Sequence, residues 1–141
     1  MRRSVPEFWE HLYKLCKAYD HAAKRLQEAM TEAAAPRPSR WGIIGRGSGP
    51  HASSVEKAAE RLEVLRAEYD AARCSFLQEW GKVAAIGPRF SDPVLYCVAV
   101  DRYFCGYAWD TVAEKLGYTR RHCLRLHHEM IREAARLFSL L

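Results

Sequence analysis

The strongest constraint on the fold is an apolar stripe that runs from Val55 to Val83 in alternating steps of three and four. Val55, Ala58, Leu62, Leu65, Tyr69, Ala72, Phe76, Trp80 and Val83 keep that rhythm for about eight turns. Only a helix gathers such positions on one face, and a stripe this long needs a partner of similar length. A second stripe upstream supplies one. Phe8, Leu12, Leu15, Tyr19, Ala22, Leu26 and Met30 (or its neighbour Ala29) follow near-heptad spacing from Pro6 to about Ala34. Pro6 suits a first turn, where a missing N–H costs nothing, and Glu7 and Glu10 lie near the positive end of the helix dipole. Folding back antiparallel is the simplest pairing; a homodimer through the long helices is equally allowed by the stripe. Such stripes serve packing, so Trp9, Tyr13 and Tyr19 receive no ligand role.

Between the two stripes, residues 35–54 hold three prolines and four glycines, too many to continue a helix. Trp41, Ile43 and Ile44 are apolar enough to pack, and Arg40 and Arg46 most simply stay solvated. The run Gly45-Arg46-Gly47-Ser48-Gly49 is not followed by Lys-Ser/Thr and is not preceded by a strand, so it is not read as a nucleotide-phosphate loop. Ser53 or Ser54 is the expected cap of the second long helix, which should end near Gly87-Pro88. A third start is written in Ser91-Asp92-Pro93, a capping side chain followed by Pro at the first helical position. The spacing predicts a helix from Pro93 to Phe104, closed by Gly106.

The nineteen residues from Trp109 to His127 read as two helices joined by a tight turn. Val112, Ala113 and Leu116 share one face of the first. Gly117 stops it, because a residue without Cβ accepts the left-handed conformation of a helix C-terminus. Thr119 is the expected N-cap of the second helix, Arg120 to Leu140. Cys123, Leu126, His127, Met130, Ala134 and Leu137 form its inner stripe, while Arg120, Arg121 and Arg125 fall on the other side. Small Ala113 stands where two steeply crossing helices come closest. This is the spacing of a DNA-binding helix-turn-helix, whose second helix offers its first residues to base edges in the major groove. Two short amphipathic helices forming a purely structural hairpin would share part of this pattern.

The expected architecture is therefore all-α: a long antiparallel, coiled-coil-like hairpin over residues 1–88, then a three-helix helix-turn-helix domain over residues 89–141. The net charge of +5 and pI near 9.1 fit an anionic partner without naming one. Five scattered cysteines with no Cys-x-x-Cys pair point to buried reduced thiols rather than a disulfide scaffold. No stretch is apolar enough to span a bilayer, and the first residues lack the apolar core of a secretory signal. A cytoplasmic protein with no membrane contact is expected.

The stretch from Arg102 to Ile131 resembles a family of phage and prophage regulators whose C-terminal domain is similar to region four of bacterial sigma factors. Late-transcription activators and autolysin-regulator-like proteins belong to it. The matching residues are Arg102-Tyr103, Trp109, Val112-Ala113, Leu116-Gly117-Tyr118, Arg120-Arg121 and Arg125-Leu126-His127. Upstream the resemblance is looser: a long helix, a Gly/Ser-rich break and a second long helix. It implies promoter-region DNA binding in a phage transcription programme inside a bacterial host, with host RNA polymerase as a second partner. Two positions depart from the family pattern: Ala108 stands where a capping Ser or Thr is usual, and Cys123 replaces an aliphatic residue.

The expected DNA-binding set is Arg120, Arg121 and Arg125 at base edges, with Thr119 as cap. His122, His128 and Lys115 are assigned to phosphates. An arginine forked onto O6 and N7 of guanine is the commonest specific contact. Cys123 and His127 share a face at ligand spacing, but no second Cys/His pair accompanies them, so no metal or other cofactor is expected. His128-Glu129 lacks the second His of the metalloprotease motif, and no catalytic arrangement can be argued from spacing; a non-enzymatic protein is expected. Two alternatives stay open: the DNA-recognition subunit of a phage packaging terminase, and a coiled-coil interaction protein that binds no DNA.

Overall fold

The computed structural model describes residues 4–34 and 50–140, with side chains at 4–34 and 55–140. The expected loop residues Arg40, Trp41, Ile43, Ile44 and Arg46 lie outside the described residues. Among those described there is no strand. Five α-helices follow one another: α1 (Val5–Ala34), α2 (Pro50–Ile86), α3 (Pro93–Ala99), α4 (Trp109–Leu116) and α5 (Arg120–Phe138). A 3-10 turn, Gly87–Arg89, ends α2, and a π-helical turn, Val100–Phe104, continues α3. No described helix is long and apolar enough to cross a membrane.

Two boundaries differ from expectation. Helix α2 begins at Pro50, so Ser53 and Ser54 fall inside it rather than capping it. Proline sits there without penalty, since a first-turn residue has no intrahelical acceptor to lose. The helix expected from Pro93 to Phe104 is α-helical only to Ala99. Beyond it the Cys105 amide bonds the Val100 carbonyl at 2.9 Å, five residues back, which widens the turn.

The chain divides into two compact units: Met1–Ala18 with Cys74–Leu141, and Tyr19–Arg73. The ends of both long helices belong with α3, α4 and α5, because three short helices bury too little alone and take aromatic side chains from the long ones. Trp9 is 2% exposed and lies 4.8 Å from Tyr103, ring to ring. Phe8 meets Phe138 edge-on at 5.3 Å. From α2, Phe76 and Trp80 flank Phe104 at 5.7 and 5.2 Å. A Cβ at Gly87 would stand 2.7 Å from the Tyr96 ring, so a side chain there would force that ring to shift. Asp92 caps α3 by accepting from the Val94 amide, as the Ser-Asp-Pro signal predicts. The preceding Ser91 donates through its amide and hydroxyl to the Glu133 carboxylate of α5 at 2.6 and 2.9 Å, tying the start of α3 to that helix.

Within Tyr19–Arg73, Tyr19 meets Tyr69 hydroxyl to hydroxyl at 3.3 Å, Arg25 pairs with Glu68 at 3.1 Å, and Glu32 lies 3.9 Å from Arg61. Rising numbers in α1 meet falling numbers in α2, the order of antiparallel neighbours. The bond from Tyr69 and then burial raise the Tyr19 hydroxyl above its usual pKa. The ion pairs are exposed and contribute little, about 0–1 kcal/mol each. Buried contacts come from Ala22, Ala29 and Leu65, while Val55 and Met30 are exposed. The apolar stripe of α2 is therefore buried over only part of its length, and Ala29 rather than Met30 continues that of α1.

Candidate nucleic-acid interface

Helix α4 ends as its sequence dictates. Gly117 adopts φ +72°, its amide bonding the Ala113 and Glu114 carbonyls, and Tyr118 reaches back to the Ala113 carbonyl at 2.9 Å. Two residues later Thr119 caps α5, its hydroxyl accepting from the His122 amide at 3.1 Å. The angle between the helices is held by a small core of Val112, Ala113 and Cys123, walled by Tyr107, Trp109 and Leu116. Ala108, at the N-cap of α4, makes no side-chain cap bond, as its methyl group requires. Thr119→Ala should cost about 1 kcal/mol of stability by removing the α5 cap. Thermal unfolding of the two proteins side by side measures it.

Arg120, Arg121 and Arg125 are all exposed, but only Arg121 and Arg125 lie on the face of α5 opposite Cys123. Arg120, expected there too, is on the α4 side, because three residues before Cys123 is nearly the same face. They are not equivalent. Arg120 leans toward α4, where its guanidinium lies 3.8 Å from the Asp110 carboxylate. Arg125 donates to Nδ1 of His122 at 2.6 Å. A guanidinium can only donate, so Nδ1 is the acceptor and the imidazole hydrogen sits on Nε2. The Tyr118 ring packs edge-on against His122, with centroids 4.7 Å apart. Thr119, Arg121, His122 and Arg125 together line an open hollow of about 420 Å³.

The other expected contacts are more scattered. Lys115 is exposed, but its ammonium lies 4.8 Å over the Tyr107 ring of the same unit. It also acts on Asp101, whose carboxyl is raised by burial and lowered in part by that charge. His128 is exposed one turn beyond Arg125, and its spacing puts it on the stripe of Arg121 and Arg125. Arg132, four residues further, extends the same stripe and is exposed. Sequence reasoning did not single it out, although the periodicity was there to be read. Asp110 and Tyr118 were also missed; only the folded turn brings them beside Arg120 and His122.

Behind the exposed face, α5 is anchored by His127. Its Nε2 lies 2.6 Å from the Tyr103 hydroxyl, and its ring meets Trp109 edge-on at 4.6 Å. Burial lowers the His127 pKa to about 4, helped by the nearby His128 and Arg102 charges, so the ring is neutral near pH 7. Burial raises the Tyr103 hydroxyl well above its usual range. Arg102, carried on the π turn, is held between the Tyr13 and Trp109 rings at 4.1 and 4.8 Å and donates to the Tyr107 carbonyl. These groups pack against α5, and with Tyr13 they also line an open hollow of about 240 Å³.

Cys123 and Cys16 are buried, and Cys74, Cys97 and Cys105 are exposed; all five are free thiols. The expectation of uniformly buried cysteines is thus corrected, because helix faces without a partner leave whatever they carry in solvent. Burial, and then Asp101, raise the Cys123 thiol above its ordinary pKa, the opposite of an activated nucleophile or metal ligand. Among the described residues no group of three or more His, Cys, Asp or Glu side chains is placed to hold a metal ion. No family model, curated protein or solved structure matches the chain.

Proposed function

We propose that this protein is a sequence-specific binder of double-stranded DNA, a phage-type transcriptional regulator acting without catalysis. In this reading α4 and α5 are a sigma-region-four-like helix-turn-helix with α3 as its third helix, and the long helices form the hairpin that carries it. One observation bears most of the weight. The first turns of α5 carry two exposed guanidinium groups, Arg121 and Arg125, on the side opposite Cys123, with Arg120 beside them turned toward Asp110 of α4; a left-handed glycine and a threonine cap join the two helices. That is the form in which a helix enters a major groove.

Arg121→Ala should lower the preference for the best duplex over unrelated duplexes roughly ten-fold or more, the scale of one lost base contact. Lys115→Ala should weaken every duplex alike and reduce the salt slope by about one. Electrophoretic shift titrations at two salt concentrations measure both. Parent-like binding by both variants would remove the groove assignment. Activation and packaging are separated by a reporter under a phage promoter: transcription responds to a regulator and not to a terminase subunit. Failure of the parent to shift any duplex would leave the coiled-coil interaction protein as the better account.

A further inference from the structure

The polar side chains on the outer face of the first two turns of α5 act as hydrogen-bond donors. Arg121 and Arg125 have no acceptor atoms in their side chains. His122 would ordinarily offer one acceptor nitrogen, but Nδ1 is occupied by Arg125, which leaves Nε2–H as its free function. The Thr119 oxygen is engaged by the His122 amide, and the nearby Asp110 carboxylate faces Arg120. No Asn, Gln, Asp or Glu occurs from Arg120 to His128. The restriction reaches further than α5. The whole chain has no asparagine, and its two glutamines, Gln27 and Gln78, lie in the long helices. The paired donor and acceptor that read N7 and N6 of adenine are therefore missing from this surface.

We propose, resting on the DNA-binding reading above, that Arg121, Arg125 and the His122 Nε2–H form a donor face that selects guanine edges, so that the target contains neighbouring guanines. Guanine presents two acceptors in the major groove, N7 and O6. Adenine sets an amino group where O6 would be, opposing donor to donor. His122 has a second part as a positioning residue: by accepting from Arg125 it fixes the direction of that guanidinium fork.

The test is selection of duplexes from a random pool by the full chain, followed by replacement of each guanine in the best duplex. Substitution by 7-deazaguanine, which deletes the N7 acceptor alone, should weaken binding roughly ten-fold at two or more neighbouring positions. Substitution by adenine should weaken it at least as much. His122→Ala should reduce the penalty at the guanine read by Arg125, and His122→Asn, whose carbonyl can accept from the same guanidinium, should restore it. Should the selected duplexes bind tightly yet tolerate every guanine replacement, the donor-face proposal falls while DNA binding stands. If no duplex is retained, both fall together. Parent-like discrimination by His122→Ala would overturn the positioning part.

Discussion

Replacing Trp9 with alanine should cost about 3–5 kcal/mol of unfolding free energy, the range for emptying an aromatic site in a core. The indole is 2% exposed and lies 4.8 Å from Tyr103, 5.3 Å from Phe8 and 6.3 Å from Phe138. Its neighbours come from the π turn and from the end of α5, so the vacated space cannot be closed by a local adjustment of α1. One term acts in the opposite direction. The Trp9 Nε1–H is buried with no acceptor among the described residues, a loss of about 1–3 kcal/mol that the parent already carries. Trp9→Phe removes that donor while keeping a ring in place, and should be much milder than the alanine change. Urea unfolding followed by circular dichroism compares all three proteins. An alanine variant within about 0.5 kcal/mol of the parent, the range of a surface substitution, would mean that the start of α1 is not part of this core.

The second large effect is a dependence on pH that runs through His127. In the folded protein its imidazole takes up a proton only at about pH 4. An imidazole in the unfolded chain does so near pH 6.5. Between those values the unfolded state binds more protons, so stability rises with pH across the window. The contribution is fully present above about pH 6.5 and is lost as pH falls toward 4. Two and a half units correspond to roughly 3 kcal/mol, an upper figure because the ring keeps some contact with solvent. The groups that face it are Tyr103, Trp109, His128 and Arg102. A neutral replacement such as His127→Gln can still bond the Tyr103 hydroxyl and cannot titrate. The measured quantity is the difference between parent and His127→Gln in unfolding free energy at several pH values, which cancels the carboxylates common to both. A difference that stays constant from pH 7 to 4 would refute the assignment.

Both predictions act on the support beneath α5, and that support was the part of the protein least legible in advance. Spacing assigned Trp9 no place in the α1 stripe, yet it is more buried than Leu15 or Leu26. The heptad rule names the face that meets one partner helix. At its N-terminal end α1 meets the π turn and the C-terminal end of α5 instead, and a different set of residues turns inward. Val55 and Ala58 illustrate the converse: they satisfy the α2 periodicity and are exposed all the same.

The chain by itself determined where its helices start and stop in the α4–α5 region, and that Arg121 and Arg125 lie opposite the buried face of α5. Gly117 and Thr119 act within a single turn, through φ and a side-chain cap, so no distant contact is needed to express them. Tertiary structure alone decided which units the long helices join, where α3 widens into a π turn, and how the outward charges are shared. Arg120 finds Asp110 only because α4 and α5 cross, and His127 is neutral because packing buries it and brings the Arg102 charge near. Local signals are written in chemistry that reaches a few residues along the chain. Burial and charge pairing depend on distances through space, and those exist only once the helices have packed.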